Sequence, residues 1–175
     1  KCMLPKLKSN GMMNVFYNML FGDMGWSVCC FTTNPLNEIM WAHYAAGSKG
    51  VCLEFDFTKT SEFYEKLFPV RYTNEFPEID SIENLTDALL RKRTAWEQEE
   101  EWRILTNVRG YKAFNRESLT AIYFGCNADS SSIKNVIQAI NHEDYSQVEL
   151  KKVRFIIKGM SYSKIDNEDM LNIKK

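Results

Sequence analysis

Apolar residues along this chain fall into short blocks set between Gly, Pro and charged clusters, and the spacing inside each block decides the element expected there. Residues 50–57 alternate most strictly. Val51, Leu53 and Phe55 point one way and Cys52, Glu54 and Asp56 the other, which predicts a strand. Residues 26–32 read as a buried strand rich in β-favouring side chains, stopped by Asn34-Pro35 because Pro lacks the ladder donor. Between them, residues 37–46 carry helix formers and end at Gly47, a natural cap. Upstream, residues 14–21 are apolar and predict a short helix or buried turn closed by Gly22 and Gly25.

The second half continues the mixture. Residues 61–66 predict a short helix and 68–72 a strand, with a surface loop over 73–81. Residues 85–100 predict a long amphipathic helix that places Leu85, Leu89, Trp96 and the stem of Lys92 on related turns. This helix hands over directly to a strand at 102–108. Strands follow at 119–124 and, as the last element, 148–157, with a helix at 132–140 between them. Nothing repeats, and no linker is long enough to divide the chain. Strands and helices without regular alternation predict an α+β fold in one domain over residues 1–175.

Composition narrows the function. Hydrophobic residues at 45% and charged residues at 26% are the balance of a globular protein, and 13% aromatics supply flat walls for a pocket. A net charge of −1 gives non-specific nucleic-acid binding no electrostatic support. The five cysteines are odd in number and form no C-x-x-C pair, so buried free thiols in a reducing, cytoplasmic compartment are expected. His43 and His142 lack ligand-like spacing, which argues against a metal. No run approaches the roughly 20 apolar residues of a membrane helix, and residues 1–10 do not form a signal peptide, so no membrane partner is expected.

Two segments concentrate side chains capable of chemistry. In the first, on a helix, Met40 and Tyr44 share a face while His43 sits a turn beyond Ile39. Either Trp41 and Tyr44 are core and His43 is a satisfied histidine, or His43 and Tyr44 present two polar-tipped rings to a pocket. The second is Lys92-x-x-x-Trp96-Glu97-Gln98-Glu99-Glu100-Glu101-Trp102-Arg103. If the chain is extended from residue 99, Glu99, Glu101 and Arg103 share one face, with Trp102 and Ile104 on the other. Three consecutive carboxylates suit a solvated helix end, yet the helix dipole disfavours them there, and the flanking Trp102 and Ile104 suggest burial. Phosphate loops and nucleophile elbows are absent from the sequence.

Taken together, W-A-H-Y-A-x-x-x-x-G-V-C-L-E-F and W-x-x-E-x-E-W-R-I-L resemble the signature of a bacterial family, domain of unknown function 2971 (DUF2971). C-F-T-T-N before them and I-Y-F-G-C after them fit in the same order, from about residue 28 to about 132. That family is similar, more distantly, to ADP-ribosyltransferase-like folds. The resemblance implies a mainly antiparallel sheet with flanking helices, NAD as cofactor, and a transferase in a toxin or phage-defence setting. In such folds a strand–turn–helix segment with aromatics closes over the nicotinamide ribose, and a later strand presents a glutamate that steadies the oxocarbenium-like transition state.

Carried over, Glu101 matches the glutamate, with His43 and Tyr44 as catalytic pocket residues. Trp41, Tyr44, Arg103 and Glu99 would hold the cofactor, Glu99 completing an E-x-E spacing. Family members also carry an upstream segment with an early strand and an N-D-P turn, which this chain starts too late to include. The rival expectation is a non-catalytic module that uses the Trp41/His43/Tyr44 pocket for a nucleotide, a small molecule or a protein. A third is a nuclease or other hydrolase built on Glu99, Glu101 and Arg103, which lacks an accompanying metal-ligand set.

Overall fold

The alternating blocks of the sequence condense into two larger sheets in the computed structural model, which describes residues 26–165 except 60, 76, 78–80, 108, 109, 111, 112 and 144. The first sheet runs β1-β6-β3, with β1 at Ser27–Thr32, β6 at Glu101–Thr106 and β3 at Leu67–Pro69. Both pairings are antiparallel and set Thr32 opposite Glu101 and Cys30 opposite Arg103. The second runs β2-β7-β8-β9, at Val51–Phe55, Leu119–Phe124, Glu149–Ile156 and Gly159–Lys164. Here β7 and β8 are parallel and the other pairs antiparallel. Two short strands, β4 (Arg71–Tyr72) and β5 (Arg91–Lys92), form a separate parallel pair. The class is mixed α+β.

Each helix has a local reason to begin. Asn37 caps α1 (Glu38–Tyr44), its side-chain oxygen accepting from the Ile39 and Met40 amides. A single turn, α2, spans Ser61–Tyr64. Ser81 caps α3 (Ile82–Leu89) through the Asn84 amide, and Asp129 caps α4 (Ser130–His142) through the Ser132 amide. After α1 the chain passes through three residues of positive φ, Ala46, Gly47 and Ser48. There the Ser48 carbonyl accepts from the Asn127 amide at 2.9 Å.

Strand β7 is buried on both faces, which explains its continuous apolar run. Leu119, Ile122 and Phe124 pack against Ile133 and Ile137 of α4. On the opposite face Ala121 and Tyr123 meet Val153, Trp41 and Ala45, so α1 is anchored to the second sheet by its Trp.

Several expectations need correction. The helix foreseen over 85–100 ends at Leu89. Beyond it the backbone pairs instead, Leu90 accepting from the Arg71 amide and Lys92 from the Thr73 amide, and residues Thr94–Glu99 form a 3-10 turn. Tertiary pairing overrides helix propensity here, and Trp96, 38% exposed, does not extend the stripe of buried Leu85. The strand foreseen over 68–72 divides into β3 and β4, and 148–157 is followed by β9 rather than being last. Extension starts at Glu101, not Glu99. Cys29 and Cys30 are exposed, not buried, although they, Cys52 and Cys126 are all free. The expectation for residues 14–21 lies outside the described residues.

Candidate functional site

Four charged side chains from three elements converge beside β6. Arg103 forks onto Glu101, Nε to Oε1 at 2.8 Å and Nη2 to Oε2 at 3.1 Å. Lys92 of β5 donates to the same Oε2 at 2.8 Å and also to Glu99. Both acids are buried, Glu99 at 1% and Glu101 at 4% exposure. Glu100 between them takes a left-handed φ of 48°, and its carboxylate accepts from Thr33 at 3.2 Å. The three consecutive acids therefore separate, the outer two onto Lys92 and the middle one away. Two carboxylates against two cations leave the buried group neutral, the condition under which such burial is tolerable.

Burial alone would raise the Glu101 carboxyl, but hydrogen bonds from Arg103, Cys30 and Lys92 outweigh it and hold it at about 2. Partial desolvation and the bond to Glu101 push the Cys30 thiol up to about 11. Lys92 and Arg103 both gain affinity for their protons, because the carboxylates overcome the opposing effect of burial. The Glu101 amide donates to the Tyr72 hydroxyl at 2.7 Å, fixing the start of β6 to β4.

The turn between β1 and α1, and α1 itself, lie against this cluster. Tyr44 donates to Glu99 at 3.1 Å, the Asn37 side chain donates to the Gln98 carbonyl, and Thr33 reaches Glu100. Tyr44 is 65% exposed, and burial and the Glu99 charge raise its hydroxyl. His43 is exposed and sits edge-on to both Tyr44 (6.2 Å) and Trp96 (5.9 Å). Trp41 is 3% exposed, gives its indole N–H to the Pro35 carbonyl at 2.7 Å, and belongs to the core. Tyr44, Glu99, Glu101 and Arg103 are thus brought together, His43 stands beside Tyr44, and Trp41 supports them from behind.

A cavity of 1050 Å³ opens between β1 and β2, its walls including Cys30, Thr33, Tyr44, Cys52, Glu54 and Trp102. That volume lies at the top of the ~300–1,000 Å³ typical of small-molecule sites. Glu99 and Glu101 stand one hydrogen bond behind the wall, through Tyr44 and Cys30. A neighbouring cavity of 350 Å³ shares Phe31, Phe55 and Phe57 with it. There Phe55 stacks on Phe57 at 5.8 Å and meets Phe114 edge-on at 5.1 Å.

Sequence reasoning missed a second polar network on the far wall. Glu54 is the charged residue among the described residues lining the larger cavity. It accepts from Tyr123 at 2.6 Å and Thr120 at 2.8 Å. These bonds and the Lys151 charge lower its carboxyl despite burial. Lys151, itself buried, donates to Tyr123 at 3.0 Å and lies 4.6 Å and 5.1 Å from the ring centres of Tyr123 and Tyr162. The signal for Glu54 was a lone charge inside the apolar run of β2, whereas Lys151 is one of four charged residues in β8 and nothing local sets it apart. Among the described residues, none of the His, Cys, Asp and Glu side chains forms a group of three or more able to hold a metal ion.

Neither the curated proteins nor the solved structures contain a match to this chain. Residues 40–104, the stretch that carries Trp41, His43, Tyr44, Glu99, Glu101 and Arg103, match the family model described as a protein of unknown function, DUF2971.

Proposed function

We propose that the cleft between β1 and β2 takes a nucleotide, NAD, and that the protein is an ADP-ribosyltransferase-like enzyme with Glu101 as the ribose-stabilising carboxylate. One observation carries this reading: Glu101, held ionised at about 2, lies one hydrogen bond behind the wall of a 1050 Å³ cavity. Cleaving the bond to nicotinamide develops positive charge on the ribose, and a fixed carboxylate stabilises that charge without reorganising. The β1–turn–α1 segment, with Tyr44 at its end, supplies the aromatic lip, and Arg103 orients the carboxylate. The setting in this reading is a bacterial toxin or defence protein.

The test compares Glu101→Gln with the wild type for NAD consumption and melting temperature. The reading expects the wild type to consume NAD and the variant to lose about two to three powers of ten while remaining folded.

A second reading, a non-catalytic module that binds a nucleotide, a small molecule or a protein beside His43 and Tyr44, has its own support. Both Glu101 oxygens already accept from Arg103 and Lys92, and Glu54 rather than a cation faces the cavity where a pyrophosphate would lie. On this reading the wild type leaves NAD intact, and that result separates the two, because Glu101→Gln lowers stability by about 3–5 kcal/mol on either by leaving buried cations under-compensated.

A further inference from the structure

The tip of the β8–β9 hairpin carries three consecutive exposed large apolar residues, one of them the most exposed among those described. Phe155 is 60% exposed, Ile156 54% and Ile157 105%. The pairing of Phe155 with Met160 and Ile156 with Gly159 leaves Ile157 and Lys158 as the two-residue connection. Such turns favour Asn, Asp and Gly, whose backbones suit the geometry, so a fully exposed Ile adds nothing to the turn. Its presence calls for a partner outside the fold.

The arrangement selects the kind of partner. Successive strand residues point to opposite faces, so Phe155 and Ile156 project on opposite sides of the ribbon while Ile157 caps its end. A flat protein surface covers one side of such a wedge. A fluid acyl phase surrounds all of it. Charge complementarity adds to this. Arg154 and Lys158 flank the apolar tip and have no ion-pair partner among the described residues. Lys151, Lys152 and Lys164 further back are engaged by Tyr123, the Ala128 carbonyl and Glu149. One acidic group, the Glu38 carboxylate, lies beside Gly159 at the turn.

We propose that this hairpin tip is a peripheral membrane-docking device, inserting Phe155, Ile156 and Ile157 into the acyl boundary of an anionic lipid surface while Arg154 and Lys158 meet its headgroups. The docking is interfacial, not spanning: no helix among the described residues is long and apolar enough to cross a membrane. It is independent of what the cleft binds.

Co-sedimentation of the full chain with vesicles tests it. Vesicles of equal phosphatidylcholine and phosphatidylserine should bind about thirtyfold more tightly than phosphatidylcholine alone, the gain expected of two cations at a negative surface. Arg154→Gln with Lys158→Gln should erase that difference. Ile156→Ser with Ile157→Ser should lower binding to both vesicle types by at least about tenfold, with only a small drop in melting temperature because Ile157 is fully in water and Ile156 more than half exposed. Wild type that sediments with neither vesicle type overturns the proposal, as does a double-serine variant that binds as well as the wild type. So does a dimer, formed without lipid, that Ile157→Ser dissolves, since the tip would then serve a second copy.

Discussion

The hydroxyl of Tyr44 donates to Glu99 at 3.1 Å across 55 residues of chain, joining a largely exposed ring on the cavity wall to one of the most buried acids in the fold. With the Asn37–Gln98 and Thr33–Glu100 bonds it ties the β1–α1 turn and α1 to the approach to β6. Tyr44→Phe removes one neutral-to-charged bond while Lys92 still holds Glu99, so stability should fall by only about 1–2 kcal/mol. Denaturant unfolding at neutral pH measures it.

Lys92 is the shared donor of the cluster, and its loss should be much more damaging. Lys92→Met keeps much of the apolar stem but leaves Glu99 and Glu101 with Arg103 as the cation beside them. A loss of about 3–5 kcal/mol is expected, the range for breaking a buried pair from one side. A melting temperature close to the wild type would show that the acids find water or protons instead.

Stability should also depend on pH through Glu101. Its carboxyl sits at about 2 when folded against an ordinary value of 4.5. A depressed carboxylate contributes stability that is present in full above the unfolded value and lost as the pH falls through the folded one. The wild type should therefore lose about 3 kcal/mol from this group between about pH 5 and about pH 2. Glu101→Gln should show a correspondingly smaller drop over that window, measured as a difference between paired urea titrations.

Cys30 provides a chemical probe of the same carboxylate. Its side chain lines the cavity and is accessible, yet partial desolvation and Glu101 hold its thiol at about 11. Iodoacetamide labelling followed by mass spectrometry should be slow at neutral pH and rise about tenfold per pH unit toward pH 10, as the thiolate fraction does. Glu101→Gln should shift that profile to lower pH. A plateau below about pH 9 in the wild type would contradict the assigned contact.

How far the sequence foretold this depended on how local each signal was. Strand β2 announces itself through alternation, since neighbouring residues settle that choice, and the helix expected over 132–140 falls inside the observed Ser130–His142. The stretch after Leu89 was misread because Arg91 and Lys92 favour helix by composition, whereas β4, some 20 residues earlier in the chain, claims their backbone. Glu99 and Glu101 stand out as neighbouring acids in one segment with Lys92, a candidate partner of Glu101, but that one ammonium holds both acids is not legible, because 3-10 geometry and a left-handed Glu100 bring them together. Lys151 lies 97 residues from Glu54, and only the tertiary fold can introduce them.

The Ser48 carbonyl, already held by the Asn127 amide, also decides what position 125 can tolerate. A methyl group on Gly125 would lie 2.1 Å from that oxygen, and backbone on both sides leaves no flexible side chain to yield. In a saturation screen scored by activity, every substitution at Gly125 should fail, and a reader of that screen would be drawn to it as a functional position. The same variants scored for folded yield should fail equally. Comparing the two scores would separate Gly125, which safeguards the scaffold, from Tyr44, whose conservative replacement should retain yield whatever becomes of activity.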